Sequence, residues 1–349
     1  MNGTADTRAV ALTVAVLAGG RSSEHDVSLS SAAAVRDGLR AAGHGVIWIE
    51  IGRDGVWRRD GESLSVTPAG GLLGVDVVFP VLHGPFGEDG TVQGLLEMLD
   101  VAYVGAGVAA SAVCLDKVRF KQLMSAVDIP QVSYVGVRAA RFRAAREDVL
   151  TDIASLGLPV FVKPAHLGSS VGIVKVDVRE RLADALESAF LYDALVIVEA
   201  SANGIEVECG VLGSLRGESA AEHEHEHAIA SEPGEIVFAG EWYDYSAKYL
   251  PDGMQLKIPA GISASARERV MQLAITSFLA SGCDGLARVD FFVDGESVLV
   301  NELNTMPGFT PTSVYAKLLD ASGVPYPQLV DRLCRLALER HAEQRSYQY

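Results

Sequence analysis

Cysteine is scarce in this chain. Cys114, Cys209, Cys283 and Cys334 are the only four in 349 residues, and no two of them form a CxxC pair. They read as free, buried thiols of a reducing cytoplasm, not as a disulfide framework or a set of nucleophiles. Basic residues are also in the minority, 29 Lys and Arg against 45 Asp and Glu, for a net charge of −16. Such a surface repels nucleic acid and anionic membrane, so neither is an expected partner, although a local pocket can still take a small anion. No stretch reaches the roughly 18 apolar residues that a membrane span needs. The segment "RAVALTVAVLAGG" (8–20) has the outward form of a signal peptide. However, Asp6 interrupts its basic start and the run leads directly into a strand–loop–helix pattern, so it is expected to be a first buried strand.

What remains is a soluble globular composition, 49% hydrophobic and 21% charged, with 35 glycines for tight turns and ligand loops. The length suits two or three domains. Residues 13–20 predict an apolar strand ending in Gly19-Gly20, followed by a helix from about Ser28 to Ala42. "VIWIEI" (46–51) and "VDVVFPVLHG" (75–84) predict further strands and "TVQGLLEMLD" (91–100) a helix. This alternation implies an open, largely parallel α/β sheet with its ligand loops at the strand carboxyl ends. Beyond "AYVGAGVAASAVCLDK" a compact α+β unit follows, with "LPVFVKPAHLGSSVGIVKV" (158–176) as two strands joined by a Gly/Ser turn. A third unit holds "EVECGVLG", a helix around Ala264–Ser281, the hairpin "GLARVDFF…SVLVNELN" and a last helix from about Tyr326 to Arg340. The expected domains are residues 1–115, 116–199 and 200–349.

Five constellations carry chemistry. In the hairpin, Arg288 and Asp290 share one strand face, as do Glu302 and Asn304 on theirs. Asp, Glu and Asn oxygens without Cys or His suit Mg²⁺ or Mn²⁺. The alternative is a solvated Arg288–Glu302 ion pair, which the interleaved Leu286, Val289, Phe291, Leu299, Val300 and Leu303 disfavour. By the same alternation Asn301 faces the other way. Lys163 precedes a turn of Gly168, Ser169, Ser170 and Gly172, which is either a phosphate cradle or an ordinary hairpin tip, and Lys117 opens the same unit. "VEASANGIEVE" (198–208) serves as an adenine and ribose edge through Glu206, or as an acidic linker. "GGRSSEHDVSLSSA" and "LHGPFGEDG" end strands on the ligand-bearing rim. There a helix beginning at Ser28 offers N–H groups to an anion, Glu24 can grip an amino group, and His83 is a polar contact or a satisfied structural histidine. "EWYDYSAKYLPDG" (241–253) is either a water-excluding lid or a packed surface loop. The tract holding His223, His225 and His227 reads as an exposed polar edge, with transition-metal binding as the alternative.

Taken in order, "VAVLAGGRSSEHDVSLSSA", "HGPFGEDGTVQGLLEMLDVAYVGAG", "SAVCLDK", "VKPAHLGSSVGI", "YDYSAKY", "ARVDFF" and "NELNTMPGFTPTS" resemble the ATP-grasp superfamily, and within it the D-alanine–D-alanine ligases. The resemblance implies three domains, an N-terminal doubly wound parallel sheet and two α+β domains that sandwich ATP. It also implies a cytoplasmic, homodimeric ligase that makes the dipeptide terminus of peptidoglycan precursors from D-alanine and ATP. Carried over motif by motif, Lys117, Lys163 and Lys248 hold the ATP phosphates. Glu199 and the backbone at Ser201–Ala202 meet the adenine, and Glu206 meets the ribose. Asp290, Glu302 and Asn304 bind two Mg²⁺ or Mn²⁺ ions. Arg288 and the Gly308 backbone stabilise an oxyanion. Glu24, tied to Ser169 and Tyr249, anchors the first D-alanine beside Val27 and His83, and Ser313 and Val314 receive the carboxylate of the second. The small "ASANG" stands where relatives carry a bulkier residue. A variant joining D-alanine to D-lactate or D-serine has the same fold, and Tyr249 in the "YDYSAKY" lid argues for an amine nucleophile.

Overall fold

A computed structural model describes residues 10–168, 171–214, 228–238 and 254–348. Ser169, Lys248, Tyr249, the lid and the His223–His227 tract lie outside the described residues.

Three sheets organise the chain. The first has the order β4-β3-β2-β1-β5-β6, with β1 (Thr13–Gly19), β2 (Gly45–Ile51), β5 (Val77–Pro80) and β6 (Ala102–Tyr103) parallel. Short antiparallel strands β3 (Trp57–Arg59) and β4 (Glu62–Ser63) extend one edge. After its first residue β1 is buried throughout, because both sheet faces are covered. Val14, Val16 and Ala18 enter one core and Ala15 and Leu17 another. The predicted signal-like run is thus the central strand. Helix α1 (His25–Ala41) starts three residues before Ser28. Ser28 is buried, accepts from Gly19 N–H at 2.8 Å and donates to the Val81 carbonyl, so it is not the anion-binding start expected of it. That place falls to Glu24, the N-cap.

The second sheet is antiparallel, in the order β7 (Tyr134–Arg138), β10 (Leu195–Ala200), β8 (Val160–Pro164) and β9 (Val174–Val176). Val160, Val162, Val196 and Val198 point into its core with helices α6 (Arg146–Ala154) and α7 (Leu182–Ala189). The alternate residues Lys163, Ile197 and Glu199 therefore face the opposite side, toward α4 (Lys117–Ala126).

The third sheet runs β14 (Met254–Lys257), β13 (Gly234–Phe238), β11 (Ile205–Gly213), β15 (Gly285–Asp294) and β16 (Ser297–Asn304), with β12 (Ala228–Ala230) off β11. One face packs on the long helix α8 (Ala264–Ala280) through Val207, Cys209, Val289, Phe291, Val300 and Leu303. The phase of β16 changes part-way. The pairing shifts between Asp290 and Phe291, so Glu302 opposes Asp290, Val300 opposes Phe291, and Asn301 is the extra, bulged residue. Val298 and Val300 are core residues before the bulge and Leu303 after it. Simple alternation would place Glu302 and Asn304 on the side of Val298 and Val300; the bulge turns them away from the core. The expectation that Asn301 faces opposite to Glu302 is corrected accordingly. Both are only partly buried, while Val300 and Leu303 on either side are buried.

Two closing helices, α9 (Val314–Ala321) and α10 (Tyr326–Gln344), return to the first sheet. Leu329, Val330, Leu333 and Ala337 share a core with Val14, Val35 and Phe79. Arg340, buried over the Tyr103 ring, donates to the carbonyls of Gly105 and Tyr103. All four cysteines are buried and free.

Candidate active site

Polar faces of the second and third sheets meet. From β8, Lys163 lies 2.5 Å from Glu199 Oε2, and from α4, Lys121 lies 3.0 Å from Glu199 Oε1. Glu199 is thereby clamped between two ammonium groups, with its side chain 4% exposed and that of Lys121 1%. Burial alone would raise the Glu199 pKa; Lys163 and Lys121 outweigh it and hold the carboxyl at about 2. Burial likewise opposes the Lys163 charge, but Glu199, with Glu302 and Glu206 further off, raises its pKa. The Glu199 side chain thus positions lysines instead of reaching an adenine. Ser201 N–H is also committed, to the Pro159 carbonyl at 3.2 Å. Lys121 went unrecognised in the sequence. Its signal was the i, i+4 spacing from Lys117 on α4, a like-charge pair that is unfavourable unless anions face it. Lys117 donates to the Leu167 carbonyl at 2.7 Å and lies 3.5 Å from Glu302 Oε2, so it joins the loop after β8 to the β15–β16 pair.

Register assembles the other wall. Arg288 pairs with Asn304 and Asp290 with Glu302, while β11 sets Gly210 and Glu208 opposite Arg288 and Asp290. The guanidinium grips Asp290 in a fork, Nε to Oδ1 and Nη2 to Oδ2 both at 2.7 Å, and lies 2.8 Å from Glu208 Oε2. Burial works against its charge, yet Asp290 and Glu208 push its pKa above the ordinary arginine value. Glu208 also escaped the sequence reading, because its role depends on a strand 80 positions away in pairing with Arg288 and Asp290. Asn304 Nδ2 donates to Asp290 Oδ2 at 3.1 Å. Among the described residues no three carboxylate, imidazole or thiol groups form a metal cluster. The set is mixed, with Asp290 and Glu302 carboxylates plus the Asn304 amide. Hard oxygen donors of this kind fit Mg²⁺ or Mn²⁺.

The first-sheet rim closes the site. Glu24 reaches between two loops: a Cβ at Gly84 would lie 2.8 Å from its Oε2, and one at Gly168 3.6 Å. Gly84 adopts φ +71°, so glycine is required there for conformation as well as space. Val27 lies in the first turn of α1. His83 is buried with both nitrogens engaged, Nδ1 at 3.0 Å from the Met306 carbonyl and Nε2 at 3.3 Å from Ser31 Oγ. Its surroundings lower its pKa, and it is a satisfied histidine whose ring nitrogens are used within the protein. The turn Met306–Phe309 follows β16. Met306 N–H donates to Glu88, Phe309 N–H to Ser31, and Pro307 has none, so Gly308 N–H is the turn's one donor without a partner among the described residues. A Cβ on Gly308 would stand 3.3 Å from Ser313 Oγ. Ser313 is the N-cap of α9, and Val314 opens the helix, whose first N–H groups suit a carboxylate.

Two antiparallel sheets that face each other with lysines on one and an arginine–carboxylate–amide set on the other, beside a parallel-sheet domain, define the ATP-grasp class of ligases. The family described as D-ala D-ala ligase N-terminus matches residues 13–72 and 61–106, and D-ala D-ala ligase C-terminus matches residues 123–335. The chain is 43% identical over 361 residues to the D-alanine--D-alanine ligase of Heliobacterium modesticaldum, covering 95% of this chain and 96% of that one. It is 44% identical over 368 residues to that of Geobacillus thermodenitrificans, covering 96% and 98%. The solved D-alanine-D-alanine ligase of Coxiella burnetii superposes with a TM-score of 0.83 at 34% identity, covering 97% of each chain. The VanG D-Ala:D-Ser ligase of Enterococcus faecalis gives 0.82 at 34%, covering 94% of this chain and 100% of that one. The chain belongs to the D-alanine–D-alanine ligase family.

Proposed function

We propose that the protein joins two D-alanines into D-alanyl-D-alanine for peptidoglycan precursors, converting ATP to ADP and phosphate. The observation that carries this reading is the β15–β16 register, which gathers Arg288, Asp290, Glu302 and Asn304 on one face opposite Lys117 and Lys163. Lys117 and Lys163, with Lys248 from the lid, neutralise the phosphates; Glu206 takes the ribose hydroxyls and the Ala202 backbone the adenine. Asp290, Glu302 and Asn304 hold Mg²⁺ or Mn²⁺, two ions in all, which supply further neutralisation of the polyphosphate when bound.

Glu24, with Ser169 and Tyr249, holds the ammonium of the first D-alanine, and Val27 and the His83 loop border it. A carboxylate oxygen of that D-alanine attacks the γ-phosphorus, the bond to the ADP oxygen breaks, and an acyl phosphate results. The amine of the second D-alanine, whose carboxylate rests at Ser313 and Val314 on the α9 N-terminus, then attacks the acyl carbon. Arg288 and Gly308 N–H stabilise the tetrahedral oxyanion. Its collapse breaks the carbon–oxygen bond to phosphate and releases the amine proton. The lid at 241–253 keeps water from the acyl phosphate.

On this reading residues 1–115 form the domain binding the first substrate, 116–199 the central ATP-grasp unit, and 200–349 the unit with lid and metal site. The enzyme acts in the cytoplasm, where ATP is supplied, as a homodimer, which sedimentation of the purified protein checks. Among the described residues no helix is long and apolar enough to cross a membrane. Purified protein with ATP, Mg²⁺ and D-alanine should release ADP and dipeptide in equal amounts; absence of D-alanine-dependent ADP release would sink the reading. The likeness to a D-Ala:D-Ser ligase keeps a second reading open, D-serine or D-lactate as the second substrate. Competition of each against D-alanine decides it.

A further inference from the structure

One carboxylate in the cleft has no part in the chemistry above. Glu88, partly buried in the 83–90 loop, accepts from Gly84 N–H at 2.6 Å through Oε2 and from Met306 N–H at 3.2 Å through Oε1. His83, from the same loop, bonds the carbonyl of that same Met306 at 3.0 Å. Both backbone polar groups of Met306 are therefore held by residues more than 200 positions away in sequence. The turn is fastened once more where Phe309 N–H meets Ser31 Oγ at 3.4 Å, the hydroxyl that also contacts His83. Gly308 lies inside this three-point hold. Burial, with the charge of Glu24, pushes the Glu88 pKa up to about 8, and Arg288 opposes the rise.

We infer that Glu88 is a positioning residue for the ligation step: its two oxygens lock the His83–Gly84 segment to the Met306–Gly308 turn, fixing the distance between the ammonium anchor and the oxyanion donor. The inference rests on the roles given above to Glu24 and Gly308. Among the described residues, hydrogen bonds of His83 and, from α1, of Ser31 also fasten this turn to residues 1–115. Acceptance of two N–H donors by the two oxygens of one carboxyl group sets both distance and orientation. Pro307 contributes no N–H, so the residue next to Met306 cannot replace its bond.

Glu88→Gln tests this in the full-length enzyme with ATP, Mg²⁺ and D-alanine. The amide keeps the volume but offers one acceptor to two N–H groups and sets its own N–H₂ against the other. Loss of one such bond predicts a rise in KM for the first D-alanine and a fall in kcat, each of roughly tenfold. KM for ATP should change less than twofold, because the phosphate lysines sit on α4 and β8. ADP released per dipeptide should exceed one, since a shifted Gly308 leaves the acyl phosphate to water. Glu88→Asp, still a carboxyl group but too short to span both donors, should show the same pattern at smaller size, and it carries the test alone if the glutamine variant does not fold. Unchanged constants overturn the inference. So does an equal rise in KM for ATP and D-alanine, the mark of general damage, or a product ratio that stays at one. If the unaltered enzyme itself releases no ADP with D-alanine, the ligase reading fails and this inference falls with it; an active wild type beside unchanged variants overturns this inference alone.

Discussion

Removing the charge of Glu199 isolates how the buried lysines beside it are held. Glu199→Gln keeps the shape of the side chain on β10 but leaves Lys121, 1% exposed, and Lys163, 13% exposed, as two ammonium groups without their carboxylate. Its pKa falls from 4.5 to about 2 on folding, and at about 1.4 kcal/mol per unit that corresponds to about 3 kcal/mol of stability at pH 7. Breaking a buried ion pair by deleting one partner independently suggests roughly 3–5 kcal/mol. The sign follows from a depressed acid: the stabilisation is present above the unfolded pKa and is lost as pH falls toward the folded one. Urea unfolding of wild type and variant should therefore differ by about 3 kcal/mol at pH 7 and about 1 kcal/mol at pH 3. Adding Lys121→Met, which removes the most deeply buried ammonium, should recover at least half of the loss. A pH 7 difference below about 1 kcal/mol, or one that does not shrink at pH 3, would refute the reasoning. The same variant should weaken ATP binding, since Lys163 loses its anchor.

Glu302→Gln should reduce dipeptide formation by roughly 10³-fold or more with far-ultraviolet circular dichroism unchanged, as expected if the carboxylate serves the metal and phosphates and not the fold; retained activity rejects the assignment. Gly84→Ala would place a methyl 2.8 Å from Glu24 Oε2 at a φ of +71°, and should raise KM for D-alanine about tenfold with little change for ATP. His166 bridges Asp116 at 3.2 Å and Asp193 at 2.7 Å, and these hydrogen bonds raise its pKa to about 9. The stabilisation is complete below the unfolded value near 6.5 and is lost as pH rises through about 9. With the side chain 45% exposed, solvent screening limits it to about 1 kcal/mol. His166→Gln should then be less stable than wild type at pH 6 and equal to it at pH 10 by urea unfolding.

Much of the molecule was legible along the chain. The apolar run at 13–19, the helix at 264–280, the strand at 195–200 and the hairpin at 285–304 follow from hydrophobic period and turn residues, which are local properties. Residue types likewise announced the chemistry, with lysines ending strands, acids and amides on a buried hairpin, and a Pro-Gly turn beyond it. Helices 139–154 and 314–321 were not legible, being short and weakly patterned elements fixed by what they pack on.

Only the tertiary structure decided how these residues meet. A one-residue bulge at Asn301 turns Glu302 and Asn304 out of the core, and a bulge leaves no mark in a simple two-residue period. Pairing across 80 positions brings Glu208 to Arg288, and packing of α4 on β10 converts Glu199 from a presumed nucleotide contact into a holder of lysines. His83 stood open between a polar contact and a satisfied structural histidine, and Met306 and Ser31 decide for the second by engaging both its nitrogens. The physical reason is common to all of these: residue type and period are carried by neighbours in the chain, whereas register, burial and hydrogen-bond partners are set by segments that meet only in the fold.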